Sequence, residues 1–268
     1  MNKRVGFIGC GKMAQAMIAG MIKSEILLQN EMIASAKTSN TITEVQKKYG
    51  IQITESNIEV AQFSTYLFLA VKPTLYSEII KEIKDFVVDD TIIITIAAGI
   101  DLAFIEEQFG KKVKVVRSMP NTPSLVGEGM SAICHNEHVT EEELKDVITL
   151  FDSFGKCELV SESIMDSIPA ISGSSPAYVY MLIEALADGG VRQGIDREQA
   201  YHLAAQAVLG AAKMVLETGV HPGELKDQVC TPGGATIEAV AALEENGFRH
   251  SILAAMEACT EKAVSLKK

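Results

Sequence analysis

A chain of 268 residues with 47% hydrophobic and 22% charged side chains lies in the globular range and can bury one large core or two ordinary ones. Its net charge of −11, with no basic stretch of five or more residues, argues against a nucleic-acid or anionic-membrane surface, while a local cationic pocket stays possible. The five cysteines (Cys10, Cys134, Cys157, Cys230, Cys259) are scattered, odd in number and without a CxxC spacing, which suggests neither a zinc site nor a disulfide framework and fits a reducing cytoplasm.

The N-terminal stretch has two cations before an apolar run, as a secretory signal does. Lys12 and Gln15 interrupt that run and a signal has no use for Gly9 and Gly11, so none is expected; no apolar stretch reaches membrane-spanning length. Up to about residue 135, short β-branched or apolar runs at 4–9, 31–36, 50–54, 65–71, 91–98 and 112–119 read as buried strands. Helical patterns lie between them at 12–23, 43–49, 57–62, 74–86 and 102–109. Such alternation predicts parallel strands joined by crossover helices, with the 91–98 run a central strand covered on both faces. Two further strands are expected at 130–135 and 156–160, flanking a helix at 141–154.

From Ser163 onward only helix signals remain. Ser175 and Pro176 read as N-cap and first helical residue. Asp196 opens a second long helix that Gly219 closes. A short helix runs to Val229, another to Asn246 and a last one to the chain end. The expected division is a sheet domain over 1–160 and an all-helical domain over 161–268. The long helices carry alanine and glycine on several faces, including Ala185, Gly189, Gly190, Ala204, Ala205, Gly210 and Ala211. Helices apolar all round are buried, and about a hundred residues cannot hide so many faces alone, so a homo-oligomer packed through helical domains is expected.

The first strand and first helix are joined by G-x-G-x-x-A, with Gly9, Gly11 and Ala14. In this context Gly9 permits the tight turn, Gly11 lets a pyrophosphate reach the backbone and Ala14 lets the helix lie close, which is the pattern of dinucleotide binding. NAD-binding sheets place an acid at the end of the second strand. Here that strand ends Ser35, Ala36, Lys37, Thr38, so NADPH is favoured, with NADH possible. Ala70, Val71, Lys72 and Pro73 after the fourth strand, and the small Ala97 and Ala98 after the fifth, are expected to line the same crevice. Near the end, Thr231, Pro232, Gly233, Gly234, Ala235 and Thr236 interrupt the helices; the stretch is a plain helix–helix turn or a site for an anion.

Together, "GFIGCGKMAQAMIAG", "FLAVKP", "IAAGI", "RSMPNTP", "ISGSSPAYVYMLIEALADGGV" and above all "LKDQVCTPGGATIEAV" resemble pyrroline-5-carboxylate reductases over nearly the whole chain. The resemblance implies an α/β fold: an N-terminal Rossmann-like NAD(P)-binding domain followed by an all-helical dimerisation domain, with dimers assembled further. It implies reduction of Δ1-pyrroline-5-carboxylate to L-proline. It implies cofactor contacts at Ile8, Gly9, Cys10, Gly11, Lys12 and Met13, near Ser35, Lys37 and Thr38, at Asn57, at Ala70–Pro73 and at Ile96–Ala98. It also implies a substrate cradle of Thr231, Gly233, Gly234, Ala235 and Thr236, with Thr236 the residue acting in catalysis. Glu162 (substrate), Gln228 (cofactor) and Ser172–Ser175 are further family-based candidates. Cys230 and Thr231 stand where many members have two serines, and Pro169 where many have threonine; a proton donor at that position is therefore not general.

Other chemistries fit less well. His135 and His138 show no HExxH and no third ligand, so no metal is expected. Ser174 and Ser175 open a helix without a preceding strand, unlike a nucleophile elbow. A β-hydroxyacid-type dehydrogenase would want a lysine early in the helical domain, and 161–191 has none.

Overall fold

The computed structural model describes residues 3–265. They form two compact units: the described part of Met1–Ser174 with Cys259–Lys268, and Ser175–Ala258. The first is built on a sheet of β1 (Val5–Ile8), β2 (Met32–Ser35), β3 (Gln52–Thr54), β4 (Tyr66–Leu69), β5 (Ile92–Thr95), β6 (Lys114–Met119), β7 (Gly129–His135) and β8 (Gly155–Leu159), in spatial order β3-β2-β1-β4-β5-β6-β7-β8. The first six strands are parallel, as the alternation predicts. β7 runs antiparallel to β6, and β8 parallel to β7.

The crossovers are α1 (Lys12–Lys23), α2 (Ser39–Tyr49), α3 (Asn57–Phe63), α4 (Tyr76–Ile83) and α5 (Leu102–Phe109); α6 (Glu141–Asp152) links β7 to β8. Successive strand residues point to opposite faces. Val5, Phe7, Phe68, Ile92 and Ile94 therefore pack under α1, α2 and α6, while Ile8, Leu67, Leu69 and Ile93 pack under α3, α4 and α5. This double cover is why the central strands are near-continuous apolar runs. Phe7 and Phe68 stack across β1 and β4 with ring centroids 4.7 Å apart. Strand order reverses between β1 and β4, so the carboxyl ends of these two strands flank the switch-point crevice.

Side chains close most helix starts in this unit. Thr38, Ser56, Asp101 and Thr140 accept first-turn amide hydrogens of α2, α3, α5 and α6, each worth about 1 kcal/mol. The Thr38 cap starts α2 at Ser39, four residues before the sequence expectation. Pro73 begins a 3-10 turn over Pro73–Leu75, which pushes the start of α4 to Tyr76.

The second unit consists of α7 (Ser175–Arg192), α8 (Arg197–Thr218), α9 (Pro222–Val229), α10 (Ala235–Glu245) and the start of α11 (Phe248–Ser265). Asp196 caps α8 through the amides of Glu198 and Gln199, and Gly219 closes it at φ +65°. α7 already includes Ser175, and a π-helical turn over Pro169–Gly173 precedes it, where a simple Ser175 cap was expected. Among the described residues of this unit only Ala187, Ala200 and Ala204 are buried, whereas Met181 is 69% and Leu216 82% exposed. No helix among the described residues is long and apolar enough to cross a membrane.

Candidate active site

At the end of β1, Gly9 adopts φ +90°. A Cβ there would stand 2.7 Å from the Ala70 carbonyl oxygen and 2.8 Å from Val71 Cγ1, so only glycine lets the loop pass the end of β4. Gly11 caps α1 with no side-chain hydrogen bond, and a Cβ on it would meet no described atom within 4 Å. The first-turn amides of α1 have no intrahelical partners. With no acid in that turn, they form an open, positively polarised end. Ala14 is buried beneath. Gln15 Nε2 donates to the Cys10 carbonyl at 3.1 Å and steadies the loop. The Cys10 thiol is buried and desolvation pushes its pKa up to about 11, so Cys10 offers a ligand its backbone and no thiolate. Lys12 is exposed and Met13 half-buried.

The neighbouring strand ends are tied to this loop. The Gly9 amide donates to Ser35 Oγ at 3.4 Å, and Ser35 Oγ donates to Asn57 Oδ1 at 2.7 Å. Asn57 Nδ2 donates to Glu82 Oε2 at 2.8 Å. Lys37 and Thr38 are exposed beyond β2. The Ala70 amide donates to the Ile8 carbonyl at 2.8 Å; Val71 and Pro73 are half-buried and Lys72 is exposed. Behind them Tyr76 Oη donates to the Leu69 carbonyl at 2.6 Å and lies 2.9 Å from Thr95 Oγ1, while Ser118 Oγ donates to the Thr95 carbonyl at 2.8 Å. Burial pushes the Tyr76 phenol far up, so it stays a neutral donor. This buried network locks the carboxyl ends of β4, β5 and β6, and with them Ala97 (buried) and Ala98 (half-buried). Sequence reasoning missed Tyr76 and Thr95; a tyrosine on the apolar stripe of α4 was the available signal.

The room above Gly11, the glycine-capped α1 and the absence of an acid in its first turn fit the diphosphate of a dinucleotide.

In the second unit, α9 ends at Val229, as the sequence predicts, with Cys230 as its cap. The Gly234 amide then donates to the Thr231 carbonyl at 3.0 Å. With Pro232 second and Gly233 third at φ +68°, this is the residue pattern of a type II turn. A Cβ on Gly234 would lie 2.4 Å from Thr231 Oγ1, so the hydroxyl sits directly over the glycine. Gly234 caps α10 with no side-chain bond, and Ala235 and Thr236 are its first residues. Like α1, α10 opens on glycine with free amides. Gln228 lies on α9, its Nε2 3.5 Å from Glu224 Oε1.

Glu162 belongs to the first unit. Its Oε1 accepts the Leu102 amide at 2.8 Å, at the start of α5, and lies 3.6 Å from Nη1 of the buried Arg117. Arg117 Nη2 also holds Asp166 Oδ1 at 2.6 Å. Asn121 is buried: its Nδ2 donates to the Ser172 carbonyl at 2.9 Å and its Oδ1 accepts the Met130 amide at 2.9 Å. The "RSMPNTP" stretch thus grips the segment that carries Ser172–Ser174. Ser174 Oγ accepts from Cys259 Sγ at 3.3 Å. His135 Nδ1 lies 2.9 Å from the Asn136 carbonyl and His138 Nε2 4.0 Å from Glu106. Among the described residues no group of three or more His, Cys, Asp or Glu side chains is placed to hold a metal.

Residues 162–266 match the family model described as pyrroline-5-carboxylate reductase dimerisation, and residues 4–99 the model described as NADP oxidoreductase, coenzyme F420-dependent. The chain is 45% identical to pyrroline-5-carboxylate reductase of Escherichia coli (strain K12) over 100% of both chains. It is 42% identical to pyrroline-5-carboxylate reductase 2 of Homo sapiens over 95% of this chain and 81% of that one. The fold matches a pyrroline-5-carboxylate reductase from Coxiella burnetii with a TM-score of 0.93 at 32% identity, covering 100% of both chains. It also matches Plasmodium falciparum pyrroline carboxylate reductase, solved with NADP bound, with a TM-score of 0.89 at 33% identity, covering 100% of this chain and 99% of that one. With glycine-capped helix ends in both units and relatives of this identity along the full length, the chain belongs to the pyrroline-5-carboxylate reductase family, enzymes of proline biosynthesis.

Proposed function

We propose that this chain reduces Δ1-pyrroline-5-carboxylate to L-proline. Residues 1–160 hold the nicotinamide cofactor; residues 161–268 bind the substrate and form the dimer. The observation that carries the reading is the pair of glycine-capped helices, α1 with room over Gly11 and α10 behind the Thr231–Gly234 turn, in a chain whose full-length relatives bear this enzyme's name.

A bound nicotinamide cofactor supplies a hydride to C5 of the imine. Ile8–Met13 and the amide end of α1 hold its diphosphate, Ser35, Lys37, Thr38 and Asn57 its ribose, and Ala70–Pro73, Ala97 and Ala98 the nicotinamide side, with Gln228 a further contact. NADPH is preferred, because β2 ends without an acid and is followed by Lys37. The substrate carboxylate is received by the amides of Ala235 and Thr236 at the start of α10, with the hydroxyls of Thr231 and Thr236 as donors and Gly233 and Gly234 leaving space. Glu162 is a further residue of this pocket. As hydride adds to C5, the C=N electron pair moves to nitrogen. The substrate can enter as the protonated iminium, which becomes the amine, so the side chains are needed to position it and no strong general acid is required.

Two outcomes test this. Purified protein is expected to oxidise NADPH when pyrroline-5-carboxylate is added; a correctly assembled oligomer without turnover overturns the activity. Thr236→Ala is expected to raise the KM for substrate about 10–100-fold, the loss of one charge-assisted donor, with the NADPH Kd nearly unchanged. An unchanged KM removes Thr236 from the pocket.

The second unit buries three alanines among its described residues, too little apolar area to offset the entropy of ordering its helices. A homodimer through α7–α11, assembled further into a larger homo-oligomer, covers the exposed leucines and methionines. Sedimentation velocity at micromolar concentration is expected to show a dimer or larger; a monomer with full helicity would refute the assembly. The five free thiols suit a reducing, cytoplasmic setting.

A further inference from the structure

An acidic side chain is linked to the end of β2 through a single amide side chain, although no residue of that strand end is acidic. Ser35, the last residue of β2, is buried and donates to Asn57 Oδ1. Asn57 opens α3, and its Nδ2 donates to Glu82 Oε2 at 2.8 Å, from the adjacent α4. Glu82 is exposed, and no lysine or arginine among the described residues pairs with it.

In dinucleotide-binding sheets the adenosine ribose lies at the carboxyl end of the second strand, where an acid favours the free 2′-hydroxyl and a cation favours the 2′-phosphate. Here the two influences oppose each other. Lys37 and the amide end of α2 attract a phosphate. Glu82 stands one side chain behind Asn57 with an unpaired negative charge, and it holds the Asn57 amide hydrogens toward α4. We propose that Glu82 is a specificity-determining residue that limits the preference for NADPH over NADH. This rests on the dinucleotide reading of the Gly9–Met13 loop.

Glu82→Gln keeps an oxygen acceptor for Asn57 Nδ2 and removes the charge, so it separates electrostatics from amide orientation. NADPH and NADH are titrated separately onto the intact oligomer, with nicotinamide fluorescence as the readout, at about 0.05 M and 0.5 M salt. The variant is expected to bind NADPH about three- to tenfold more tightly, the size of one partly screened charge interaction, with NADH changed less than about twofold. The gain should shrink at the higher salt. Affinities that move together, that do not move, or that shift independently of salt overturn the proposal. Because the readout is binding, a protein that binds both cofactors but fails to turn over pyrroline-5-carboxylate refutes the proposed activity and leaves this inference to its own result. Wild-type protein that binds neither cofactor overturns the inference together with the dinucleotide reading.

Discussion

Gly9→Ala should lose both cofactor binding and stability, whereas Gly11→Ala should lose cofactor binding alone. The difference follows from what a methyl group would meet. At Gly9 it meets backbone, the Ala70 carbonyl oxygen at 2.7 Å, which cannot swing aside as a flexible side chain would. The φ of +90° adds strain for any residue with a Cβ. Left-handed backbone costs about 1–2 kcal/mol and overpacking about 1–3 kcal/mol. Relief of either shifts the β1 loop away from β4, and with it the start of α1. The expected result is a melting temperature several degrees lower, about 4 °C or more, and an NADPH Kd raised about 100-fold or more. At Gly11 the backbone is already in a region open to alanine, φ −74° and ψ −175°, and the space is empty. Stability should change by no more than about 1 kcal/mol, the difference between capping residues. The NADPH Kd should still rise about 10–100-fold, because the methyl occupies the approach to the amides of α1. Thermal melts and NADPH titrations on both variants check this. A Gly11→Ala protein that binds NADPH like wild type would show that the diphosphate does not approach Gly11, and an unshifted melt for Gly9→Ala would remove the packing argument.

The features that could be read from sequence are those whose cause is local. β-branched or apolar runs placed every strand, the helical pattern at 102–109 placed α5, and Asp196 and Gly219 placed α8 at its observed ends. The glycine loop and the PGG turn could be read because φ and small size leave their mark on the residue itself. What escaped was long-range. The reversal at β7 depends on how β6 and β7 pair, with Ser118 opposite Ile133, and no local pattern distinguishes an antiparallel strand from another parallel one. The π-helical turn at Pro169–Gly173 is held at its Ser172 carbonyl by Asn121, 51 residues earlier, a contact no local pattern reveals. Glu82 reads as a solvated helix residue until the fold carries α4 beside α3. The exposed apolar faces of α7 and α8 were legible for a different reason: the composition of each helix states how much surface must be covered, though not by what.

Arg117→Met should strongly destabilise the first unit. Arg117 lies within β6, is 1% exposed, and follows Val115 and Val116, so it breaks an apolar run. Its guanidinium is held by Asp166 at 2.6 Å and by Glu162 at 3.6 Å, and its Nε has no partner among the described residues. A buried cation with one unmade bond is a poor source of net stability, since desolvation offsets most of the attraction. Removing it alone is nevertheless expensive. The Asp166 side chain, 13% exposed, loses the cation that holds its Oδ1 at 2.6 Å, and breaking a buried pair from one side costs up to about 3–5 kcal/mol. Glu162, 38% exposed, contributes little to that figure because water screens it. The two carboxylates bracket the turn that leads into Pro169–Gly173, so the loss should also loosen the grip of β6 on that segment. The test is a double-mutant cycle in urea at fixed protein concentration, because assembly makes stability depend on concentration. Asp166→Asn in the Arg117→Met background removes the carboxylate's charge and is expected to recover at least half of the lost stability. If the two changes are simply additive, the pair is not coupled and Arg117 is a spectator in the core. If Arg117→Met is as stable as wild type, the desolvation cost of the guanidinium has cancelled the pair entirely, and β6 needs no charge at that position to fold.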